Sequence, residues 1–322
     1  MPQKIDISHK TVIFVAIFIL TLWIIFLIRD LLIILFIGLI LMSALRPMVN
    51  FFVGIKVPKA IAIVFTYIII IAFVGSILIG IVPPLIEQST RLIVTLPPLV
   101  AEAFKITNID QSVLQSELTS FSRNIFSLTI TLFDNILTII FLLVITFYLL
   151  MERDNLEKRA ATLFIGNEER TKKLLVKIEE KLGAWLRGQL FLSVIIGVVS
   201  YIGLFSLNIP YALPLALFAG IMEVIPVIGP IISALPSILI ALTISPVLGL
   251  GVAAMFFVIQ QLENHLIVPQ VMKRAVGLNP LVVILAIAVG SRLLGFAGAL
   301  LAVPFSVVLQ IIAADIIEGR KN

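Results

Sequence analysis

The feature that most constrains this chain is a series of apolar stretches, each close to the length needed to cross a lipid bilayer as a helix. A helix rises about 1.5 Å per residue and therefore needs roughly 20 residues to cross about 30 Å of hydrocarbon. The segments that can each cross once are 11–28, 31–45, 58–82, 132–151, 189–207 and 246–262. The mean hydropathy of +1.20 is too high for a soluble domain. The sequence therefore predicts an all-α, polytopic integral membrane protein.

Two short breaks divide the N-terminal part of this layout. Arg29-Asp30 interrupts an apolar run that is too long for one crossing. We therefore expect a tight turn there between two antiparallel helices. Arg46-Pro47 is expected to end the second helix, because proline removes a helix N–H and clashes with the preceding turn.

Lysine and arginine are distributed unevenly over these segments. If the N-terminus lies inside the cell, 18 of the 23 basic residues fall on inner segments, 4 fall on outer segments, and Arg292 is left over. Short cytoplasmic loops of membrane proteins carry the excess of positive charge. The distribution therefore predicts that both termini are cytoplasmic.

The same layout leaves two segments, 210–245 and 280–318, that must each enter and leave on one side. Both consist of apolar halves separated by Gly and Pro. In the first segment each half would be about 20 Å long as a helix, shorter than the hydrocarbon core. We predict two helical hairpins that dip in from opposite faces, giving about eight membrane helices or hairpins in total. Two tight pairs of full spans are the alternative, since 299–317 is long enough to cross.

The two hairpin segments are punctuated alike. The order Pro, Gly, Gly, Pro occurs in both, at Pro210, Gly220, Gly229 and Pro236 and at Pro280, Gly290, Gly298 and Pro304. Inverted repeats with interrupted helices are the architecture of many secondary transporters, because broken helix ends expose backbone groups that can bind a solute or ion. This pattern predicts a repeat whose two copies have opposite orientation.

Two polar segments connect the spans. Segment 85–130 carries charges among regularly spaced Leu, Ile and Phe, which predicts extracytoplasmic amphipathic helices. Segment 152–188 mixes acids and bases, which predicts a solvated cytoplasmic helix. The predicted parts are N-terminal transmembrane helices (1–84), external helices (85–130), the fourth span with its cytoplasmic loop (131–188) and a transport region with both hairpins (189–322).

A carboxylate at membrane depth indicates a functional site, because it must be paired, protonated or bound to a cation. Glu223 fits this description, and Arg292 is its counterpart in the second hairpin. If the hairpin tips meet, the two side chains could form an ion pair that a solute or proton disrupts. A static structural pair, or a Glu223 at the lipid headgroups, is the alternative.

A second polar group follows the span 246–262. Glu263 and Asn264 are expected near the inner surface, where they could coordinate a cation or cap the helix end. Gln189, Gln260 and Gln261 are candidates to line the same cavity.

Several stretches resemble the autoinducer-2 exporter family of bacterial membrane proteins. They are FYLLMERD (147–154), RGQLFLSVIIGV (187–198), YALPLALFAGIMEVIPVIGPIISALP (211–236) and LENHLIVPQVMKRAVGLNPLVVILAIAVGSRLLGFAGALLAVP (262–304). The resemblance implies an oligomeric plasma-membrane permease of the eight-helix class that works without ATP. Members are linked to export of autoinducer-2 and, in other cases, to sodium/proton antiport.

The resemblance also marks individual positions. The family's glutamate–proline–glycine–proline motif corresponds to Glu223, Pro226, Gly229 and Pro230. The motif after the seventh span corresponds to Glu263, Asn264, Pro269, Gly277 and Pro280, and the last hairpin to Gly290, Gly295, Gly298 and Pro304. These residues, with Arg292, are the predicted solute or ion pathway.

Other functions find little support in the sequence. The chain has no cysteine and two distant histidines, so neither a metal site nor a cofactor is expected. No P-loop motif and no nucleophile–base arrangement indicates an enzyme. Acids nearly balance bases in 152–188, which argues against nucleic-acid binding.

The leading hypothesis is a secondary transporter for a small solute, with H⁺ or Na⁺ as coupling ion and the lipid bilayer as its surroundings. Alternatives are a sodium/proton antiporter, a passive channel and a membrane scaffold for a partner protein.

Overall fold

The computed structural model describes residues 9–76, 79, 136–162, 168–226, 228–272 and 277–319. The regular elements within these ranges are α1 His9–Leu27, α2 Arg29–Gly54, α3 Lys59–Ser76, α4 Ile136–Thr162, α5 Glu168–Ser206, α6 Ala212–Met222, α7 Ile228–Ile244, α8 Pro246–Leu262, a π-helical turn Glu263–Ile267, α9 Val268–Met272 and α10 Pro280–Gly319. By length and composition, α2, α3, α5, α8 with its continuation to Met272, and α10 can cross a membrane. The predicted all-α membrane fold is confirmed, and the predicted external segment 85–130 lies outside the described residues.

The predicted N-terminal turn at Arg29-Asp30 is wrong, because the helix carries on through these residues. The N–H of Ile28 donates to the carbonyl of Ile24 at 3.0 Å, and the N–H of Leu32 donates to that of Ile28 at 3.1 Å. Only Ile28 departs from helical geometry, with φ −95° and ψ 10°. Two charged side chains that stay exposed can be carried by a helix without breaking it. α1 therefore extends from α2 and does not fold back beside it.

The predicted end of the second helix at Arg46-Pro47 is also wrong, since α2 reaches Gly54. Proline supplies no N–H to the carbonyl four residues earlier, which here belongs to Ser43. Arg187 of α5 takes that place, donating from Nη1 to the carbonyl of Ser43 at 3.3 Å and of Ala44 at 3.1 Å. Pro47 thus sits at the crossing of α2 and α5 instead of ending α2.

Ion pairs gather at one end of the helices, which we call the charged end. They are Arg46–Glu179 (2.7 Å), Arg153–Glu179 (3.1 Å), Lys59–Asp154 (2.9 Å) and Arg170–Asp315 (3.0 Å). These pairs join α2, α3, α4, α5 and the last part of α10. The opposite end, where α5 finishes and α8 begins, is called the far end.

α6 and α7 form the first hairpin, which enters the bundle from the far end. Ala212 at the start of α6 shares a buried apolar cluster with Ala241 near the end of α7, so the two helices are antiparallel. At the turn, Gly229 lies against the carbonyl of Met222, where an added Cβ would come within 1.8 Å of the oxygen. The hairpin predicted for 210–245 is confirmed.

α10 is the second hairpin, because its backbone leaves helical geometry at Leu294 and Gly295. Gly295 has φ +60° and ψ −138°, a conformation that favours glycine. Gly290 and Gly298 then face each other across the bend, and a Cβ on Gly298 would come within 1.9 Å of the Gly290 carbonyl oxygen. Both predicted hairpins are helices that turn back, and the depth that each reaches in a bilayer stays a prediction.

Candidate functional site

The two hairpins meet through apolar side chains. Ile225, in the turn of the first hairpin, packs in one buried cluster with Ile287, Ala299 and Ala302 of the second. Ile287 lies eight residues before Gly295, or about 12 Å along a helix. The turn of the first hairpin therefore rests against both arms of the second, about 6 to 12 Å along the helices from Gly295.

Glu223 is enclosed where α6 ends. Its residue exposure is 1%, and its Oε2 atom has no hydrogen-bond partner among the described residues. The backbone carbonyl of Glu223 accepts a hydrogen bond from Nε2 of Gln189 at 2.6 Å. Pro226, three residues on, has no N–H that could serve this carbonyl. Gln189, itself 2% exposed, thus attaches the turn of the hairpin to α5.

The partner of the Glu223 side chain is Glu263. The two carboxyl groups are neighbours that interact with each other, and Glu263 is 4% exposed. Gln260 Nε2 donates to Oε2 of Glu263 at 3.3 Å. An ionised carboxylate only accepts hydrogen bonds, so two carboxyl groups bond to each other only when one of them carries a proton. The arrangement is a buried carboxyl pair that can hold one proton between two helical elements.

The predicted ion pair between Glu223 and Arg292 is wrong. Arg292 is exposed, whereas Glu223 is enclosed in the bundle. The first turn contacts the second hairpin around Ile287, and Arg292 lies five residues further on, or about 8 Å along the arm. The prediction failed because it assumed that the two turns touch.

The predicted placement of Glu263 at a helix end near the surface is also wrong. The helix continues from α8 through the π-helical turn to Met272, so Glu263 has no helix end to cap. A π-helical turn contains an extra residue and is frequent at functional sites. Asn264 remains exposed, and its Oδ1 accepts a hydrogen bond from Gln260 at 3.5 Å. Gln261 is exposed, so of the predicted glutamines Gln189 and Gln260 contact the site.

The predicted proline and glycine positions shape the backbone around the pair. In the first hairpin, the carbonyl of Pro226 accepts a hydrogen bond from Ile228 at 2.8 Å, and buried Pro230 accepts one from Ser233 at 3.0 Å. Gly229 provides the close approach to Met222 described above. The bend of the second hairpin is formed in a similar way by Gly290, Gly295 and Gly298.

The sequence identified both glutamates but not their contact. They lie 40 residues apart on different elements, and no local spacing connects them. The usable signal is that each is a carboxylate close to the end of a largely apolar segment. Across the described part of the chain, no group of three or more His, Cys, Asp or Glu could hold a metal ion. The chemistry available at the site is therefore that of a carboxyl pair and its amide neighbours.

The sequence of this chain is similar to those of several known transport proteins. The profile of the AI-2E family transporter matches residues 12–318. The candidate transport protein YrrI of Bacillus subtilis (strain 168) is 29% identical over 303 residues, covering 86% of this chain and 84% of YrrI. The AI-2 transport protein TqsA of Escherichia coli (strain K12) is 25% identical over 289 residues, covering 86% of this chain and 83% of TqsA. A sodium-lithium/proton antiporter of Halobacillus andaensis is 29% identical over 136 residues, which are 42% of this chain and 39% of that protein.

The family match includes both hairpins and the carboxyl pair. It also includes the N-terminal helices, for which the sequence motifs carried no resemblance. The resemblance predicted from the second half of the sequence is confirmed. The chain belongs to the AI-2E transporter family, a family of multi-pass membrane transporters.

Proposed function

We propose that the protein is a secondary transporter that moves a small solute across the bacterial plasma membrane and couples this movement to a proton. The observation that carries the proposal is the buried contact between the carboxyl groups of Glu223 and Glu263. A carboxyl pair that shares one proton changes its net charge when that proton arrives or leaves. Intramembrane carboxyl groups are characteristic of proton relays in transporters.

The position of the pair along the helices supports this role. Gln189 contacts the Glu223 carbonyl and lies two residues after Arg187, an exposed basic residue on the charged-end side of α5. From Gln189, α5 continues for about 25 Å to Ser206 at the far end. Most of the thickness of a hydrocarbon core therefore separates the carboxyl pair from the far end.

The pair also connects elements that can move separately. Glu223 belongs to the turn of the first hairpin, and Glu263 belongs to the π-helical turn after α8. Two ionised carboxylates in a low-dielectric interior repel each other strongly, whereas a singly protonated pair forms a hydrogen bond. Proton loss therefore favours separation of the turn from α8, and proton binding favours contact. Alternation between these two states is the proposed coupling step.

Autoinducer-2 is the solute to test first, because the relative TqsA is an AI-2 transport protein and its match covers most of this chain. Purified protein in proteoliposomes should take up or release the solute at a rate that depends on an imposed pH gradient. Flux should saturate with solute concentration, as for a carrier. Flux that never saturates, together with single-channel currents in bilayers, would indicate a passive channel instead.

Substitution of the pair tests the coupling directly. Glu223→Gln and Glu263→Gln keep the size of the side chain and remove the titrating group, so flux should no longer respond to the pH gradient. The matched control is Asp154→Asn at the charged end, an exposed carboxylate outside both hairpins. Wild-type, gradient-dependent flux in both Gln variants would contradict the proposal.

Exchange of a monovalent cation for a proton is the second candidate function. It is favoured by the unpartnered Oε2 of Glu223, because a deprotonated carboxyl pair offers oxygen atoms of the kind that hard cations bind. The partial match to the Halobacillus antiporter points in the same direction. Proteoliposomes without organic solute should then change their internal pH when Na⁺ or Li⁺ is added.

The charged end is proposed to face the cytoplasm. Short cytoplasmic loops carry the excess of positive charge, and the described basic residues Arg46, Lys59, Arg153 and Arg170 all form ion pairs at this end. The contact of Arg170 with Asp315 supports a cytoplasmic C-terminus. The expected cytoplasmic N-terminus depended on a turn that the structure does not have, so the proposed orientation covers the C-terminus alone.

We also propose that the protein works as a homo-oligomer, as the family resemblance implies. The described side chains from Ile13 to Leu32 are exposed and almost all apolar, so α1 has wide surface available to lipid or to a second copy. Because the chain has no native cysteine, single cysteines introduced in α1 give a clean cross-linking experiment. Disulfide-linked dimers from α1 positions, and none from the exposed charged-end position Asp154→Cys, are expected.

A further inference from the structure

Three serine hydroxyls inside the bundle of α5, α6, α7 and α8 have no hydrogen-bond partner within the described ranges. They are the Oγ atoms of Ser193 and Ser200 on α5 and of Ser237 on α7. Ser200 and Ser237 are wholly buried. A buried hydroxyl without a partner is destabilising, so such groups are normally satisfied by protein or by ordered water.

Hydroxyls elsewhere in the protein show the ordinary solution. Ser43, Thr66, Thr146 and Ser306 each donate to the carbonyl four residues earlier, at 2.7 or 2.8 Å. Ser193, Ser200 and Ser237 also lie inside helices, where the carbonyl oxygen four residues earlier is available as an acceptor. The hydroxyls of these three serines make no such bond, in contrast to Ser233 and Thr243 of the same bundle, which donate to carbonyls of their own helix.

The serines on α5 continue a line that begins at the carboxyl pair. Gln189, Ser193 and Ser200 are spaced by four and seven residues, so at about 100° per residue they lie on one face of the helix. Gln189 donates to the carbonyl of Glu223, and the carbonyl of Ser193 lies against Gly220, one turn before Glu223. This face of α5 therefore follows the first hairpin from its turn toward the far end.

Ser237 faces the same interior from α7. The residues one turn further on, Ile240 and Ala241, share the buried cluster that contains Ile196 of α5 and Ala219 of α6. Ser200 lies about 16 Å beyond Gln189 along α5. Ser200 in turn lies about 9 Å before Ser206, the last residue of α5, so the line leads from the carboxyl pair most of the way to the far end.

We propose that Ser193, Ser200 and Ser237 hold ordered water molecules that form a proton path between Glu223 and the far end of the bundle. The unpartnered Oε2 of Glu223 is the first group of this path. Buried water typically makes about three hydrogen bonds to polar groups that would otherwise lack partners. The exposed Asn264, beside Gln260, gives the pair a separate route to the charged end.

The proton transfer balances without another reactant. The O–H bond of one carboxyl group breaks, a hydronium ion forms on the adjacent water, and the excess proton passes between waters by exchange of O–H bonds until it leaves at the far end. The remaining carboxylate is protonated again from the charged-end side. The same steps run in reverse when the proton enters at the far end, and the imposed gradient sets the direction. The coupling of this path to a solute rests on the proposed function, whereas the presence of water does not.

Serine-to-alanine variants test the path, and the chain supplies matched controls. Ser193→Ala, Ser200→Ala and Ser237→Ala should each slow gradient-driven flux by about fivefold, the change in rate expected when one hydrogen bond is lost. Ser43→Ala and Ser306→Ala, whose hydroxyls bond to their own helices, should keep the wild-type rate. Wild-type rates in all three bundle variants would overturn the path.

X-ray radiolysis of the whole protein in lipid nanodiscs gives a readout that is independent of transport. Radicals formed from internal water should label segments 190–204 and 231–244, and Ser200→Ala should lower that labelling. Ile63 and Thr66 of α3, both wholly buried, serve as the dry control. Labelling no higher than that control would overturn the proposal even if Glu223→Gln abolishes flux. Unaltered flux in Glu223→Gln would instead overturn the proposed function, and with it the proton path.

Discussion

The two hairpins have similar Gly and Pro punctuation but enclose different chemistry. The first buries a carboxyl group at its turn, where Glu223 meets Glu263. The second bends at Gly295, where nothing lies within 4 Å of an added Cβ, and it leaves Arg292 exposed. Repeated Gly and Pro positions thus produce a repeated backbone turn, whereas the functional group is confined to one copy.

This difference indicates that the two hairpins have different roles. The first hairpin carries the group that changes charge, and its turn is attached to α5 and to the π-helical turn. The second hairpin supplies the apolar wall of Ile287, Ala299 and Ala302 against which that turn rests. One hairpin is therefore suited to respond to a proton, and the other to transmit the response through packing.

The largest loss of stability is expected at the glycines that let the two arms of each hairpin approach closely. Gly229→Ala and Gly298→Ala each place a Cβ within 2 Å of a backbone carbonyl oxygen, which only a shift of the main chain can relieve. Each variant should lose about 3 kcal/mol or more of stability, seen as a large fall in thermal unfolding temperature. Gly251→Ala, with nothing within 4 Å, is the control and should be neutral. A stable Gly298→Ala protein would break the structural likeness of the hairpins.

The next largest effect is a difference in flux between a variant of the first hairpin and a variant of the second. Glu223→Gln removes the proton-binding group of the first hairpin, and flux should fall by roughly a hundredfold, as when a proton-transferring residue is lost. Arg292→Gln changes the counterpart in the second hairpin, which is exposed, and flux should stay within about twofold, as expected for a surface substitution. Flux assays at equal protein density measure both. A large loss in Arg292→Gln would show that the second turn is also part of the pathway.

A smaller effect is expected from the bend of the second hairpin. Gly295→Ala meets open space but places alanine at φ +60° and ψ −138°, a strain of about 1–3 kcal/mol. The unfolding temperature should fall by less than in Gly298→Ala. Gly277→Ala, which also meets open space but has an ordinary φ, is the matched control. Equal stability of the two alanine variants would mean that the bend does not require glycine.

The smallest effect is expected at the charged end, outside both hairpins. The hydrogen bond from Lys59 holds the pKa of Asp154 below its usual value. A group with a lowered folded pKa stabilises the protein above its unfolded pKa, about 3.9 for Asp, and this contribution disappears as the pH falls through the folded pKa. Lys59→Met should therefore cost less than about 1 kcal/mol at pH 7, since Asp154 is largely exposed. The difference between the unfolding curves of variant and wild type should shrink as the pH falls from about 4 through the folded pKa of Asp154. The part that remains reflects the hydrogen bond from Lys59 to the carbonyl of Met151 at 3.1 Å. A difference that does not change with pH would contradict the assignment.

The fold was predictable from sequence where physical constraints are local. Apolar length gave the membrane-crossing helices α2, α3, α5 and α8, and Gly and Pro gave both hairpins. The predicted spans 11–28 and 132–151 correspond to α1 and α4, which are not among the described helices long and apolar enough to cross. The prediction failed at Arg29-Asp30 and at Pro47, where the outcome depends on partners that are remote in sequence. Pro47 stays inside a helix because Arg187, 140 residues later, bonds to the freed carbonyl.

The site was predictable in part for the same reason. Glu223 and Glu263 were identifiable as polar residues in apolar surroundings. Their contact was not, because it depends on where the first turn meets the second hairpin and on a π-helical turn that no local propensity signals. The unpartnered serines were missed because a serine in a membrane helix ordinarily bonds to its own backbone.

The π-helical turn Glu263–Ile267 has a consequence for how this segment tolerates changes in length. A π turn is an α-helix with one residue inserted, so the deletion of a single residue there restores a regular helix and leaves both flanking helices intact. Because the wide turn already accommodates the extra residue, the flanking helices keep their faces after the deletion, and the side chains within the turn, Glu263 among them, change direction. Loss of one residue at this place would thus give a well-folded protein whose two carboxyl groups no longer face each other, whereas the same loss within α7 would disturb the packing of the whole hairpin.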